Sequence, residues 1–226
     1  MASKPYDTTF LTTVGKKIVM AITGLFLVIF VVEHMLGNLF FLVGADAYNE
    51  YSHKLLSLGP LLWAIEIVLL AAFVFHAFYG ISITLYNKSA RPEKYKQLRS
   101  AGKPSRKTIS STTMIYTGLI LLIFLVIHLK SFKYGTYYST VVNGVEMRDL
   151  HRLMVEKFST PLYTFGYVAV MILLGFHLRH GFWSAFQSLG ANHPRYSAGI
   201  YTLGVFIAII LAIGFVAVPL WIYFTQ

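Results

Sequence analysis

The sequence predicts an all-α integral membrane protein with five transmembrane helices. Of its 226 residues, 56% are apolar and only 12% are charged, and the mean hydropathy is +0.63. A soluble domain is about 45–50% apolar and about 25% charged, so this chain has too little polar surface to coat a water-soluble globule. Five apolar stretches reach the length of about 20 residues that a helix needs to cross a bilayer. None of them alternates as a barrel strand does.

The five spans are predicted at residues 18–43, 60–85, 112–130, 161–186 and 199–224, within a single domain covering residues 1–226. Pro60 and Pro161 stand at helix starts, where the missing N–H costs nothing. Lys16 and Lys17 precede an apolar run that is too long for a signal-peptide core, and no cleavage site closes it. We therefore expect the first span to be retained.

Lysine and arginine are concentrated in two places. The connection 87–111 is strongly basic, and the amino terminus adds Lys4, Lys16 and Lys17. The positive-inside rule then predicts a cytoplasmic amino terminus and a carboxyl terminus outside. In a membrane protein, the net charge of +10 is better explained by this orientation than by nucleic acid. The basic connection is either a topological signal alone or also a docking surface for a cytoplasmic partner.

The connection 131–160 is too long for a plain turn. Met147, Leu150, Met154 and Phe158 recur in it at three- and four-residue spacing. This pattern predicts a short amphipathic helix lying on the outer face.

Four of the eight histidines lie inside spans, each 16 residues after a predicted span start (18, 60, 112 and 161). Because successive spans run in opposite directions, His34 and His128 fall in the outer half, and His76 and His177 in the inner half. Imidazoles are costly in hydrocarbon, and two of them facing each other suit the axial positions of a b-type haem. The pattern predicts two bis-histidine haems in a bundle of the first four spans.

Two other uses of these histidines remain open, a proton relay and a bare metal site. Relays usually pair histidines with buried acids, and the spans offer only Glu33 and Glu66. The chain contains no cysteine, which excludes thiolate-held iron–sulfur clusters, cysteine-bound zinc and covalently attached c-type haem.

An internal repeat relates the spans in pairs. Thr23-Gly24-Leu25 precedes His34 as Thr117-Gly118-Leu119 precedes His128, and eight of the twelve positions 23–34 and 117–128 are identical. His76 and His177 both follow a phenylalanine and precede a glycine, Gly80 or Gly181, by four residues. A glycine at that spacing lies on the ligand's helix face, where it serves either a close approach of porphyrin or close helix packing.

His180 competes with His177 as a ligand because it lies one helical turn further on. It would sit about 4.5 Å nearer the cytoplasm, a depth that suits a hydrogen bond to a haem propionate. We therefore assign His177 as the ligand. Lys16, Lys17 and Arg179 lie at the inner interface and are further propionate candidates, although each could instead snorkel to lipid headgroups.

The chain resembles the cytochrome b membrane anchor of succinate:quinone oxidoreductases, in the five-helix, single-polypeptide, two-haem type also found in quinol:fumarate reductases. The resemblance runs from Val14 to the last span. The matching motifs are Glu33-His34 with Asn38, Ala47-Tyr48-Asn49 followed by His53, the stretch from Glu66 to His76-Ala77-Phe78-Tyr79-Gly80, and Phe176-His177 running into Gly181-Phe182-Trp183-Ser184.

The resemblance implies a subunit of the bacterial inner membrane that transfers electrons and reacts with quinone but has no dicarboxylate active site of its own. A flavoprotein with FAD and an iron–sulfur protein would dock on its cytoplasmic face. Electrons would pass through a proximal haem b on His76 and His177 and a distal haem b on His34 and His128. The quinone, usually menaquinone in this type, would bind near the distal haem. Some fumarate-reducing relatives carry a glutamate where this chain has Gly175, which leaves their transmembrane proton path in doubt here.

The quinone site is predicted only as a set of polar residues in the outer half. Its members are Glu66, Glu33, Asn38, Glu50 and His53. Glu66 is the first choice because we expect it to be buried near the distal haem without a basic partner. Its alternative role is that of a protonated acid bonded to a neighbouring helix. Two other functions remain open for the chain: the b-type cytochrome of a membrane hydrogenase or formate dehydrogenase, and a haem-free transporter.

Overall fold

The computed structural model describes residues 12–90 and 108–226. Lys4 and most of the basic connection 87–111 lie outside the described residues. We call the end of the bundle that carries Lys16 and Lys88 the inner end, and the opposite end the outer end. These names fix positions in the molecule only, and its orientation in the membrane stays a prediction.

The described residues form eight α-helices and one two-stranded hairpin. They are α1 (Thr13–Leu39), α2 (Ala45–Leu56), α3 (Pro60–Ser89), α4 (Ile109–Thr112), α5 (Met114–His128), β1 (Ser139–Val142), β2 (Val145–Arg148), α6 (Leu150–Phe158), α7 (Pro161–Ser188) and α8 (Ser197–Thr225). A 3₁₀ turn (Phe40–Leu42) extends α1, and a π-helical turn (Leu129–Lys133) extends α5.

Five helical segments of the described residues are long and apolar enough to cross a membrane: α1 with its 3₁₀ turn, α3, α5 with its π-helical turn, α7 and α8. Their outward faces carry large exposed apolar side chains, such as Trp63 and Leu162. Such surfaces are stable only against lipid or a partner. The prediction of an all-α protein with five transmembrane helices is confirmed, and the hairpin is the β structure that the described residues add to it. The short helices α2 and α4 were not predicted either.

The predicted boundaries differ from the observed ones mainly at the inner end. The first span begins at Thr13 because Thr12 caps the helix, its side chain accepting a hydrogen bond from the Gly15 amide. Lys16 and Lys17 therefore lie inside α1 rather than before it. The second span runs four residues beyond its predicted end, to Ser89. The third begins at Met114, since residues 109–112 form the separate helix α4.

Helix α1 is central to the bundle, with α3, α7 and α8 packed against it. Small residues allow the closest approaches of α8. Gly214 faces Met35 of α1, and a Cβ at Gly175 of α7 would lie 3.1 Å from the Cβ of Ala212. The fifth span, α8, lies outside the sequence repeat but packs tightly against α1 of its first half and α7 of its second half.

Helix α2, the hairpin and α6 together cover the outer end, and we call them the outer cap. The buried Asn49 side chain joins its parts, donating to Asp149 Oδ1 (3.0 Å) and accepting from the His151 amide (3.0 Å). Leu153 and Phe158 of α6 are buried. The predicted amphipathic helix is confirmed for Leu150–Phe158.

Met147 was wrongly placed in that helix. It lies in β2, because Asp149 caps α6 by accepting from the Arg152 amide (2.9 Å) and so starts the helix after Met147. Asn143 and Gly144 form the hairpin turn, with φ of 52° and 80°. This hairpin was not predicted, although Asn-Gly between apolar residues is a strong local signal for such a turn.

Candidate functional site

The four histidines inside the spans form two facing pairs. The ring centroids of His34 and His128 are 5.7 Å apart, and those of His76 and His177 are 6.4 Å apart. Each pair takes one ring from the α1–α3 half of the repeat and one from the α5–α7 half. The structure therefore brings together the same partners that the depth argument predicts.

The spacing within each pair can be compared with that of two axial ligands. A metal–imidazole nitrogen bond is about 2.0–2.1 Å long and the ring centroid lies about 1.1 Å behind the nitrogen, which puts opposed centroids about 6.3 Å apart. The inner pair stands at this spacing and the outer pair is slightly closer. Two neutral imidazoles in an apolar bundle are the donor set that a b-type haem uses.

Glycines of the repeat make room for the inner pair. A Cβ at Gly24 of α1 would lie 2.9 Å from His76 Cε1, and a Cβ at Gly118 of α5 would lie 3.4 Å from His177 Cε1. Each inner imidazole thus packs on the helix that precedes its own in the repeat. The threonine-glycine motif found in the sequence thus provides the surface on which these imidazole rings pack.

Hydrogen bonds to Nδ1 orient both inner rings. His76 Nδ1 lies 3.1 Å from the Met20 carbonyl oxygen, and His177 Nδ1 lies 3.0 Å from the hydroxyl of Thr117. A carbonyl only accepts, so His76 carries its proton on Nδ1 and its Nε2 lone pair is free. A hydrogen bond from the second nitrogen is how metal-binding histidines are normally fixed.

The outer pair has looser polar contacts and more aromatic ones. The Tyr167 hydroxyl lies 3.4 Å from His128 Nδ1, and Asn38 Nδ2 lies 3.4 Å from His34 Nε2. Phe30 stacks on the His34 ring at 5.5 Å between centroids. The outer imidazoles are therefore held mainly by packing.

The π-helical turn directly follows His128, and Arg148 of the hairpin holds its end. The guanidinium donates to the carbonyls of Phe132 (2.8 Å) and Thr136 (3.3 Å), with longer bonds to Lys133 and Gly135. Burial lowers the pKa of Arg148 from its ordinary value, while Tyr137 and Tyr48 raise it. The outer cap thereby fixes the backbone next to an outer histidine.

Glu66 differs from the prediction. It is neither fully buried nor without a basic partner, because it forms an ion pair with Lys133 of the π-helical turn and both side chains are 37% exposed. That turn extends α5 beyond the predicted end of its span and brings Lys133 to α3. The proposed role of Glu66 at quinone is a separate matter and stays a prediction.

The other quinone candidates are distributed around the outer end. Asn38 donates to the His34 carbonyl (2.7 Å) and accepts from the Tyr48 hydroxyl (3.2 Å). Glu50 accepts from Asn143 (3.0 Å) and lies 3.6 Å from Lys54. Glu33 is exposed on α1, and His53 is half-buried on α2. In the described part of the chain, no hydrogen bond or ion pair joins any two of the five candidates.

The four propionate candidates lie on α1 and α7. His180 is half-buried one turn from His177, whereas Arg179 donates to the Tyr201 hydroxyl on α8 (3.0 Å). Lys16 is half-buried and Lys17 is exposed on the first turns of α1. The contact with Tyr201 therefore favours a structural role for Arg179.

Three polar residues at the site were not predicted: Thr117, Lys133 and Arg148. The repeat singled out Thr117 but gave it no role, and no local pattern signals the other two because their contacts depend on how distant segments pack. Residues 12–90 and 108–226 hold no group of three His, Asp or Glu side chains suited to a metal ion. A haem iron needs only two protein ligands.

One known protein is similar to this chain over most of its length. The chain is 26% identical over 185 residues to the succinate dehydrogenase cytochrome b558 subunit of Bacillus subtilis (strain 168), a match that covers 80% of this chain and 83% of the relative. No family profile and no solved structure matches the chain. The resemblance to the cytochrome b membrane anchors of succinate:quinone oxidoreductases, predicted from the histidines and their neighbours, is therefore confirmed.

Proposed function

We propose that this chain is the membrane-anchor cytochrome b of a succinate dehydrogenase or fumarate reductase complex. It holds two b haems, and it carries electrons between a cytoplasmic flavoprotein and iron–sulfur protein and the membrane quinone. The observation that carries the proposal is the pair of facing histidine couples, at centroid distances of 5.7 and 6.4 Å, in a chain similar to a succinate dehydrogenase cytochrome subunit. FAD and iron–sulfur clusters belong to the partner subunits.

The residues of the chain would serve the haems in distinct ways. Haem b supplies a one-electron carrier at each site when it is bound. His76 and His177 hold the inner iron and His34 and His128 the outer one. The surrounding aromatic and aliphatic side chains exclude water, which favours transfer of electrons over reaction with solvent.

Quinone chemistry would take place near the outer pair, where protons must be supplied along with electrons. The Glu66–Lys133 pair offers both a proton acceptor and a donor at the outer ends of α3 and α5. The pair can give one proton to the quinone, which leaves it with a net charge of −1, and it becomes neutral again when the outer aqueous phase returns a proton to it. The candidate proton donor is therefore the pair, with menaquinone as the expected quinone.

Haem content tests the proposal directly. The purified protein should contain two low-spin b haems per chain. His76→Ala should lose the inner haem and His34→Ala the outer one, while His193→Ala, a change at an exposed histidine outside the spans, should lose neither. One haem in carefully extracted protein, or full haem content in both span variants, would overturn the assignment.

The co-purifying subunits separate this proposal from a role with another membrane oxidoreductase. A flavoprotein and an iron–sulfur protein that oxidise succinate or reduce fumarate are expected after mild extraction from the membrane. Subunits of a hydrogenase or a formate dehydrogenase would exclude the succinate dehydrogenase role while leaving the haem sites intact. A chain without any haem absorption would instead point to a transporter.

A further inference from the structure

We propose that Thr117 is a positioning residue for His177: its hydroxyl accepts the Nδ1–H of the imidazole and thereby sets the redox potential of the inner haem. The inference rests on the proposed function, because it concerns a haem held by His76 and His177. It goes further by assigning to one side chain a role that its counterpart in the repeat does not have.

The direction of the bond follows from the other contacts of Thr117 and from the tautomer of His177 that can bind iron. The Thr117 hydroxyl donates its single proton within its own helix, to the carbonyl of Met114 (3.0 Å) or Thr113 (3.2 Å). With that proton given to its own helix, the oxygen 3.0 Å from His177 Nδ1 can accept, and a His177 that binds iron through Nε2 carries on Nδ1 the proton that it donates. Thr117 is buried, with 4% of its surface exposed, so water does not compete for this bond. His177 is left with its Nε2 lone pair free.

In the first half of the repeat, the inner histidine is oriented by a different acceptor. Thr23 occupies the position of Thr117, but its hydroxyl bonds only to the carbonyls of Val19 (2.7 Å) and Met20 (3.2 Å). His76 Nδ1 donates directly to the Met20 carbonyl oxygen, at 3.1 Å. One inner ligand is thus oriented by backbone, which no substitution can remove, and the other by a side chain.

The effect on the haem follows from the electron density of the ligand. An acceptor on Nδ1–H makes an imidazole a stronger donor through Nε2. A stronger axial donor stabilises the ferric state more than the ferrous state. Removal of the acceptor at Thr117 should therefore move the potential of the inner haem in the positive direction.

The experiment is a redox titration of the haems in the purified complex. Thr117→Val keeps the shape of the side chain and removes the acceptor. At the wild-type midpoint potential we expect the ratio of reduced to oxidised inner haem to rise about threefold, which is about 30 mV at 59 mV per tenfold. The inner step is the one missing from His76→Ala protein, and the outer step should not move.

Two further variants separate positioning from packing. Thr117→Ser restores the hydroxyl and should restore the wild-type potential. Thr23→Val makes the same change at the equivalent position, whose hydroxyl bonds to backbone carbonyls and not to a histidine, and should leave both potentials unchanged. Unchanged potentials in Thr117→Val, or an equal shift in Thr23→Val, would overturn the inference. Loss of the inner haem in both Thr117 variants would also overturn it, because the residue would then act by packing.

Failure of this inference can be told from failure of the proposed function. A chain that binds no haem refutes the proposed function. A chain that binds two haems whose redox potentials do not change in Thr117→Val refutes only the positioning role.

Discussion

Gly24→Ala should damage the inner haem site, while the equivalent change Gly118→Ala should be tolerated. The new Cβ at position 24 would lie 2.9 Å from His76 Cε1 and 3.2 Å from its Nδ1. At position 118 the nearest atom, His177 Cε1, is 3.4 Å away. The two glycines are counterparts in the repeat, so each variant is a matched control for the other.

The size of the effect follows from these distances. Carbon atoms in favourable contact are about 3.5–4.0 Å apart, so the His76 ring must retreat by about 0.6 Å or more from α1. That movement strains the bond from its Nδ1 to the Met20 carbonyl and shifts the ring relative to His177. Overpacking of this kind costs about 1–3 kcal/mol. Alanine regains about 1 kcal/mol of helix propensity, so the bundle should still fold.

Haem content and the absorption spectrum of the purified protein measure the outcome. Gly24→Ala should lose the inner haem or convert part of it to a high-spin form, while the outer haem stays low-spin. Gly118→Ala should keep two low-spin haems, since a shift of a few tenths of an ångström relieves its contact. Equal haem content in the two variants, or a larger loss in Gly118→Ala, would refute the reasoning.

Three further predictions concern the outer end. Arg148→Met removes the donor to the carbonyls at the end of the π-helical turn, so it should cost about 1.5–3 kcal/mol and cause selective loss of the outer haem. Arg152→Met changes an exposed arginine and serves as the control, and equal haem content in the two variants would contradict this. Glu66→Gln should keep both haems and succinate oxidation by artificial acceptors but slow quinone turnover, and Lys133→Met should behave alike; normal quinone turnover in both would exclude the pair. Burial lowers the pKa of His151 below its ordinary 6.5, and the charge of Asp149 opposes this with a smaller effect. The unfolded outer cap therefore binds the proton more readily than the folded one, so the cap should lose stability as pH falls below about 6.5. Hydrogen exchange of α6 at high and low pH measures this, and protection that does not change with pH would argue against it.

The parts of the fold that the sequence predicts correctly are those governed by periodicity and depth. The five apolar runs correspond to the five spans, and the depth of each histidine in its span predicts the partners of His34 and His76. The predicted partners lie face to face even though α1 starts earlier than predicted, because the added residues lie at the inner end and leave the position of His34 relative to the outer end unchanged.

The parts that could not be predicted depend on where distant segments meet. Lys133 reaches Glu66 only because α5 continues as a π-helical turn and ends beside α3. Arg148 holds that turn from a hairpin 15 residues further along the chain than Lys133. The hairpin itself was predictable from Asn143-Gly144, whereas the contacts that it makes were not.

The origin of each histidine pair has a consequence for assembly. Because one ring of every pair comes from each repeat, neither half of the bundle contains a complete site, and anything that binds between the rings joins the halves. Binding to the folded form alone adds about 2.7 kcal/mol when the ligand is at a hundred times its dissociation constant. The second pair of helices must therefore be inserted before a ligand can bind between the histidine rings. A cell short of that ligand would accumulate a bundle whose two halves separate more easily.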